Sequence, residues 1–282
     1  MKKYCALLLF LFLNFSAQNQ RFIYEYKFVT DSTNRDVAQS ELIVLDVDAE
    51  GSKFYSYEKY KADSVTSEEV NKQVATKSSD ILLKNTYKGS IRYSITKNYP
   101  DFKTVMKTSV AGDDYNVWDE REIEWKILPE TEIIATFKAQ KAETKMFGRI
   151  WTAWFTNEIP IQDGPYKFRS LPGLIVKLQD KTLSHSFEIK SVRNIVPQTE
   201  FKSAFIEKPI DVDYSKYKKI FWENRKDPAK SLRLMINENP TFKIVKNGEE
   251  VSGEQMVRER EKSAKEAQKK NNNPLELDLL KE

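Results

Sequence analysis

The chain has 282 residues, and its 40% hydrophobic and 12% aromatic content is enough to build a large core, which excludes an intrinsically disordered chain. The 46 basic and 42 acidic side chains leave a formal net charge of +4, a field too weak to favour nucleic acid as a partner. Eight glycines and ten prolines exclude collagen-like and low-complexity classes, and the 13 tyrosines and 16 phenylalanines favour β-strands.

The first segment, residues 1–17, predicts a secretory signal peptide. Two lysines precede the apolar run Tyr4–Leu13, and the small residues Ser16 and Ala17 follow it. A membrane span needs about 20 apolar residues, so an uncleaved anchor is the weaker alternative. We therefore expect an exported protein of the periplasm or outer-membrane periphery, or one released outside the cell, with no transmembrane span after signal removal.

The single cysteine, Cys5, lies near the start of the apolar run. A lipid-attachment cysteine would lie at the end of that run, so we do not expect Cys5 to be lipidated. It leaves with the signal, and the mature chain then has no disulfide, no thiolate nucleophile and no cysteine-based metal site. Such a chain depends on its core alone in an oxidising compartment.

The mature chain begins with alternating apolar residues, and similar short runs recur along it. They predict strands at Phe22–Val29, Leu42–Val47, Phe54–Tyr57, Ile91–Lys97, Phe102–Lys107, Tyr115–Trp118, Ile123–Ile127, Thr131–Ala139, Ile150–Phe155, Leu174–Leu178 and Phe187–Val192. Strands and helices do not alternate, which argues against a nucleotide-binding parallel sheet. The sequence predicts a mainly β protein: a curved, mostly antiparallel sheet or incomplete β-barrel with a few peripheral helices.

Helices are predicted at four places, Thr66–Lys84, Tyr214–Asn224, Ala229–Asn237 and Glu254–Lys270. The last is densely charged, with i,i+4 pairs such as Glu261 and Lys265, and is interpreted as a solvated helix; a helix for an acidic partner or membrane surface is the alternative.

The segment after Pro274 alternates Leu275, Leu277 and Leu279 and predicts a strand docked on a sheet edge. The expected division is a signal at 1–17, one β-rich domain at 20–252, and a charged helix with a docking tail at 253–282.

Candidate catalytic residues are few. The single histidine, His185, is interpreted as a strand residue at a sheet margin that shares a face with Phe187 and Ile189. No phosphate-binding, dinucleotide or zinc motif is present, so neither a cofactor nor a metal is expected. Asp113 and Asp114 follow Gly112, which indicates a hairpin turn rather than a cation site.

The most unusual segment is Ile159–Leu178, which holds two of the eight glycines and three of the ten prolines. Pro172 and Gly173 predict a type II turn, and Gly164 a backbone shape that a side chain would block. An aromatic pair lies between these features, and two tryptophans precede them. The candidate ligand-binding or motif residues are Trp151, Trp154, Gly164, Pro165, Tyr166, Phe168, Leu171, Pro172, Gly173 and Leu174.

This segment resembles the GLPGLI family of exported Gram-negative proteins. The resemblance is carried by Gly164–Phe168 and Leu171–Ile175, extends upstream through Gly148–Phe155, and recurs in the tail at Asn272–Leu277. Ser170 stands where the family motif has its first glycine. Many members carry a cysteine before a Gln-Lys-Ala run, which Gln140–Ala142 lacks, so a thiol-based role does not transfer.

The resemblance implies export, a β-rich fold and no established catalytic activity. We expect a non-enzymatic envelope binding or accessory module whose partner is an apolar or peptidic ligand or an envelope protein. Two alternatives are a hydrolase or peptide-processing enzyme that uses carboxylates or His185, and a purely structural or interaction protein.

Overall fold

The computed structural model describes residues 19–62, 64–65, 68, 87–196, 208–239, 244–246 and 249–281. The predicted signal peptide lies outside these residues, as does the helix expected at Thr66–Lys84 apart from the helical Glu68. Among the helices within these ranges, none is long and apolar enough to cross a membrane.

Twelve strands form one mixed sheet. They are β1 (Gln20–Phe28), β2 (Gln39–Val47), β3 (Gly51–Ser56), β4 (Ser94–Asn98), β5 (Lys103–Val110), β6 (Asp113–Asp119), β7 (Lys126–Ile134), β8 (Phe137–Met146), β9 (Arg149–Thr156), β10 (Leu174–Asp180), β11 (His185–Asn194) and β12 (Ile210–Asp213). Their order is β12-β6-β5-β4-β3-β2-β1-β11-β10-β9-β8-β7. Only the β12–β6 pair is parallel, and β12 and β7 are the two edges. The predicted mainly β, mostly antiparallel fold is confirmed.

Period-two alternation explains why these segments form strands with one buried face. In β1 the side chains of Phe22, Tyr24, Tyr26 and Phe28 are at most 5% exposed. They pair in register with β2 on one side and β11 on the other. Burying each large apolar side chain stabilises the fold by about 1.5–3 kcal/mol.

The largest differences from the sequence prediction lie at four places. Residues 121–125 have no regular structure, and β7 begins only at Lys126. The predicted strand Thr131–Ala139 is a hairpin, because Ala135 takes a positive φ of 54° between β7 and β8. Residues 91–93 precede β4, and β3 begins at Gly51, three residues before the predicted Phe54. The errors lie where strands begin and end, because there the allowed backbone angles determine the conformation and the apolar pattern does not.

The C-terminal third adds helices α1 (Tyr214–Lys226), α2 (Lys230–Glu238) and α3 (Gly253–Lys270), a hairpin of β13 (Ile244–Lys246) with β14 (Glu249–Val251), and a 3-10 turn at Leu277–Leu280. Residues 57–62 are also helical. The side chains of Asp213 and Ser252 cap α1 and α3.

Helix α3 has no buried residue, which confirms a solvated helix. Its observed ion pairs are Arg258 with Glu254 at 3.5 Å and Glu261 with Arg233 of α2 at 2.7 Å, in place of the expected Glu261–Lys265 pair.

The sheet curves around the segment between β9 and β10. Tyr24 of β1 donates a hydrogen bond to the carbonyl of Ile175 at the start of β10. Lys97 of β4 and Trp151 of β9, from distant parts of the sheet, both contact the segment that precedes β10. Side chains from separate strands can meet at one segment only if the sheet bends toward it, and this bend creates the site described next.

Candidate functional site: a buried loop and the tail that covers it

The loop between β9 and β10, residues 157–173, lies inside the curved sheet and is called the motif loop here. An isolated bridge pairs Asp163 with Arg169, and the Ser170 amide donates to the Gln162 carbonyl at 3.0 Å. Tyr166 and Ser170 hold positive φ angles of 59° and 73°. The position where Ser170 replaces the family's glycine therefore does adopt a left-handed backbone, which costs a non-glycine residue free energy.

An aromatic cluster surrounds the centre of the motif loop. Phe168 is fully buried, with its ring centroid 4.9 Å from that of Trp151 and 5.3 Å from that of Phe147. Tyr166 is 3% exposed and completes the cluster. Trp154 lies on the opposite face of β9, half-buried, beneath the ammonium of Lys177 at 5.1 Å. Three of the four aromatic residues predicted at the site thus come together, and Trp154 does not.

The cluster leaves little free space around it. The gap bounded by residues such as Asp119, Phe147 and Lys167 is too small to admit a water molecule. Side-chain packing of this density resembles a protein core more than a ligand cavity.

The ammonium of Lys97 is fully buried against the motif loop. It pairs with the carboxylate of Asp163, also fully buried, and donates to the carbonyls of Gly164 at 2.8 Å and Tyr166 at 3.0 Å. The hydroxyl of Tyr99 donates to the second oxygen of Asp163 at 2.6 Å. Burial lowers the pKa of Lys97, and the charge of Asp163 opposes that effect. One lysine of β4 therefore neutralises the loop's carboxylate and saturates its inward carbonyls.

The C-terminal segment 271–281, called the tail, closes the site from the other side. The carboxylate of Glu276, 2% exposed, accepts hydrogen bonds from the ammonium of Lys167, the hydroxyl of Tyr166 and, at 2.9 Å, the guanidinium of Arg121. Asp119 of β6 also contacts both cations, with Lys167 at 2.7 Å. The carboxylate of Asp278 lies 3.1 Å from Arg121. The tail thereby supplies two of the three carboxylates that contact these two largely buried positive charges.

Arg149 of β9 holds the first half of the tail. Its guanidinium donates to the carbonyls of Pro274 at 2.6 Å and Leu275 at 2.9 Å, and to the side-chain oxygen of Asn273 at 2.6 Å. It also pairs with Asp180 at 3.2 Å. A planar guanidinium with five donors suits such simultaneous recognition of carbonyls and a carboxylate.

The tail does not dock as the predicted edge strand. It crosses the ends of β1 and β9: the Asn273 amide donates to the Thr30 carbonyl at 3.0 Å, and the Leu277 amide donates to the Phe147 carbonyl at 2.8 Å. Leu277–Leu280 forms a 3-10 turn instead of continuing the alternation. The turn below it needs Gly148, with φ of 72°, since a Cβ there would lie 2.7 Å from the Asp278 amide.

The carboxylates at this site have shifted pKa values in opposite directions. Burial alone would raise the pKa of Asp119 and of Glu276, but the charges and hydrogen bonds of Arg121 and Lys167 outweigh it and lower both. Burial and the neighbouring charge of Glu276 raise the pKa of Asp278, half-buried at the rim. Glu276 is thus favoured as a carboxylate and Asp278 is disfavoured as one.

His185 is 2% exposed at the start of β11 and shares its buried face with Phe187 and Ile189, so the expected shared face is right and the marginal position is wrong. Its Nε2 lies 3.1 Å from the Asn273 carbonyl, which can only accept, so Nε2 carries the proton and Nδ1 accepts from Tyr26 at 2.7 Å. Burial and the charge of Arg149 lower its pKa to about 4. The imidazole is a neutral link between β1 and the tail.

Other motif residues act through packing. Pro165, Leu171 and Leu174 are buried, while Pro172 is exposed. Gly173, with φ of 156°, does not form the predicted type II turn, because the Leu174 amide donates to the Ile159 carbonyl instead of to Leu171. A Cβ at Gly173 would lie 2.1 Å from the Thr156 carbonyl oxygen. Gly164 has no positive φ; its missing side chain leaves room for Ile175.

The sequence prediction missed the charged residues that organise the site. Lys97 continues the inward alternation of Ile91, Tyr93 and Ile95. A charged residue on an otherwise apolar face was therefore the sequence signal that could have identified it. Arg121, Arg149 and Glu276 had none, because the contacts between the tail and the rest of the site join residues more than 100 positions apart along the chain. Within the described ranges, no cluster of His, Cys, Asp and Glu could hold a metal ion.

Part of this site lies in a segment that is similar to a family model. Residues 46–177 match the family model described as "Protein of unknown function (Porph_ging)", and this span includes the whole motif loop. No curated protein matches the chain.

Two solved structures of PNGF-II, in the C2 and P21 space groups, resemble the fold with TM-scores of 0.50 and 0.48. Each shares 16% sequence identity with this chain and aligns over 74% of it. The chain covers only 34% of the length of PNGF-II, and at this identity the likeness concerns the fold alone. The chain thus has a sheet similar to one found within a larger protein, and its motif loop lies within the span that matches a family model of unknown function.

Proposed function

We propose that the protein is an exported, non-enzymatic accessory module of the GLPGLI type that binds a peptidic partner. The observation that carries this proposal is the occupation of the site by the protein's own chain. The motif loop fills the interior, and an extended stretch of the tail lies across it through main-chain and carboxylate contacts. A surface that already receives one extended segment is suited to peptide recognition.

A peptide fits this site better than an apolar small molecule does. An apolar ligand would have to displace Phe168 or Trp151, both fully buried, because the gap beside Phe147 and Lys167 has no room for a water molecule. Losing the packing of one such ring costs about 3–5 kcal/mol. A peptide can use the contacts that Arg149 and Lys167 make to the tail, so it leaves Phe168 and Trp151 in place.

The polar groups of the site are engaged in contacts that hold the fold. Lys97, Asp163, Lys167 and His185 each bind a partner from another part of the chain at the buried site. This arrangement supports a structural or binding role over a catalytic one. Export is supported by the composition of residues 1–17 and agrees with a mature chain that needs no disulfide.

The test is to express the full chain in a Gram-negative host, fractionate the cells, and analyse the purified protein by native mass spectrometry. We expect a mature protein that begins near residue 18 outside the cytoplasm and carries peptide adducts. Retention in the cytoplasm would contradict export, and a stoichiometric lipid adduct would contradict the peptidic ligand. Peptide or ester hydrolysis that disappears in His185→Gln but persists in Trp154→Ala would contradict the non-enzymatic role.

A further inference from the structure

Resting on the peptide-binding function proposed above, we infer that the surface beneath the tail binds a separate extended segment of the pattern Asn-Pro-Leu-Glu, and that the tail is the built-in competitor for it. This surface, called the tail groove, is formed by residues 29–30 and 147–149 together with Asp119, Arg121 and Lys167. The pattern is that of Asn273–Glu276.

Main-chain contacts give the groove affinity for an extended segment. Two tail amides donate to the carbonyls of Thr30 and Phe147, and two tail carbonyls accept from Arg149. These four bonds depend on backbone position and not on side-chain identity. A separate peptide of the same conformation can make all of them.

Side-chain contacts give the groove its preference. Asn273 donates to the Val29 carbonyl at 2.7 Å and accepts from Arg149, so an amide is needed at the first position. Leu275 is buried at the third position. Glu276 meets Arg121 and Lys167, whose two positive charges face only Asp119 in the groove itself. The groove without its tail thus carries one uncompensated positive charge, which favours an acidic ligand.

Departure of the tail leaves the pairing of the twelve strands unbroken, because the tail forms none of these strands and follows α3, which has no buried residue. Leu275 and Leu279 are the tail side chains that leave the hydrophobic core with it. A tethered segment competes at an effective concentration on the order of millimolar. A partner segment therefore has to bind strongly or be held nearby, and weakening the tail should open the groove.

The experiment inserts a protease recognition sequence between Lys270 and Asn271, both exposed, and cleaves the purified protein after it has folded. Native mass spectrometry on dilution measures dissociation of the tail, and fluorescence anisotropy of a labelled peptide of residues 271–281 measures rebinding. We expect saturable, reversible rebinding. Glu276→Gln in the peptide should weaken rebinding at least about 30-fold, because Arg121 and Lys167 then lose the carboxylate of Glu276 and keep Asp119 as their partner in the groove.

Asp278→Asn is the matched control, since Asp278 also contacts Arg121 but its carboxylate form is disfavoured. We expect it to change affinity less than about 3-fold. Equal effects of the two substitutions, or rebinding that does not saturate, would overturn the inference. Unfolding of the cleaved protein on tail loss, followed by circular dichroism, would also overturn it, because the tail would then belong to the core. Co-purified peptides that lack this pattern would contradict this inference but would agree with the proposed peptide-binding function.

Discussion

Replacing Lys97 with methionine tests whether the motif loop is held by its buried charge. The substitution keeps most of the apolar stem and removes the ammonium, so Asp163 stays buried without its counter-charge. Breaking a buried ion pair in this way costs about 3–5 kcal/mol. The carbonyls of Gly164 and Tyr166 lose a donor as well, and each buried unsatisfied group costs about 1–3 kcal/mol. Because such costs are not additive, we expect Lys97→Met to lose at least about 4 kcal/mol.

The assay is equilibrium urea unfolding monitored by tryptophan fluorescence, with Lys103→Met as control. Lys103 is an exposed residue of β5 whose replacement should change the free energy of unfolding by less than about 0.5 kcal/mol. A double-mutant cycle with Asp163→Asn isolates the energy of the Lys97–Asp163 pair from other effects on the loop. If the two residues are coupled, the double variant loses less stability than the two single variants lose in sum. We expect the double variant to be more stable than the sum of the single losses by about 1–3 kcal/mol.

Two results would refute this reasoning. A loss below about 1 kcal/mol in Lys97→Met would show that water or a rearranged loop replaces the ammonium without difficulty. Strict additivity in the cycle would show that Lys97 and Asp163 act independently. If Lys97→Met does not fold at all, the double variant is still informative. A folded double variant would show that the unpaired charge of Asp163 causes the loss, and an unfolded one would show that the packing of Lys97 is needed.

Three further predictions use the same unfolding assay. Ser170→Gly should raise the free energy of unfolding by about 0.5–1 kcal/mol, because Ser170 holds φ at 73°, and a decrease would show that its side chain is needed. His185 has a pKa of about 4 in the folded protein and about 6.5 in the unfolded chain, so the unfolded chain binds its proton more readily. The resulting contribution of about 3 kcal/mol to the free energy of unfolding is complete above pH 6.5 and disappears toward pH 4. The free energy of unfolding of His185→Gln should therefore depend less on pH by that amount, and an unchanged pH dependence would contradict a buried neutral imidazole. Phe168→Ala should cost about 3–5 kcal/mol and the half-exposed Trp154→Ala under about 1.5 kcal/mol, whereas similar losses would place both rings in one environment.

Strand and helix positions followed from the local pattern of side chains. The alternation of Phe22, Tyr24 and Tyr26 indicated the buried face of β1, and the charged run with i,i+4 pairs indicated α3. The density of proline and glycine also singled out the motif loop. Periodicity and turn chemistry act between residues a few positions apart, and a sequence displays such relations directly.

The site itself was decided by tertiary structure. Glu276 contacts Lys167 at a separation of 109 positions along the chain and Arg121 at a separation of 155, and no local pattern links them. The tail shows how tertiary contacts override a local pattern. Its leucines alternate as in a strand, but its contacts with Arg149 and with the turn at Gly148 give it a different conformation. Long-range charge pairs and close backbone approaches form only when the sheet bends, so the chain order alone carried no sign of them.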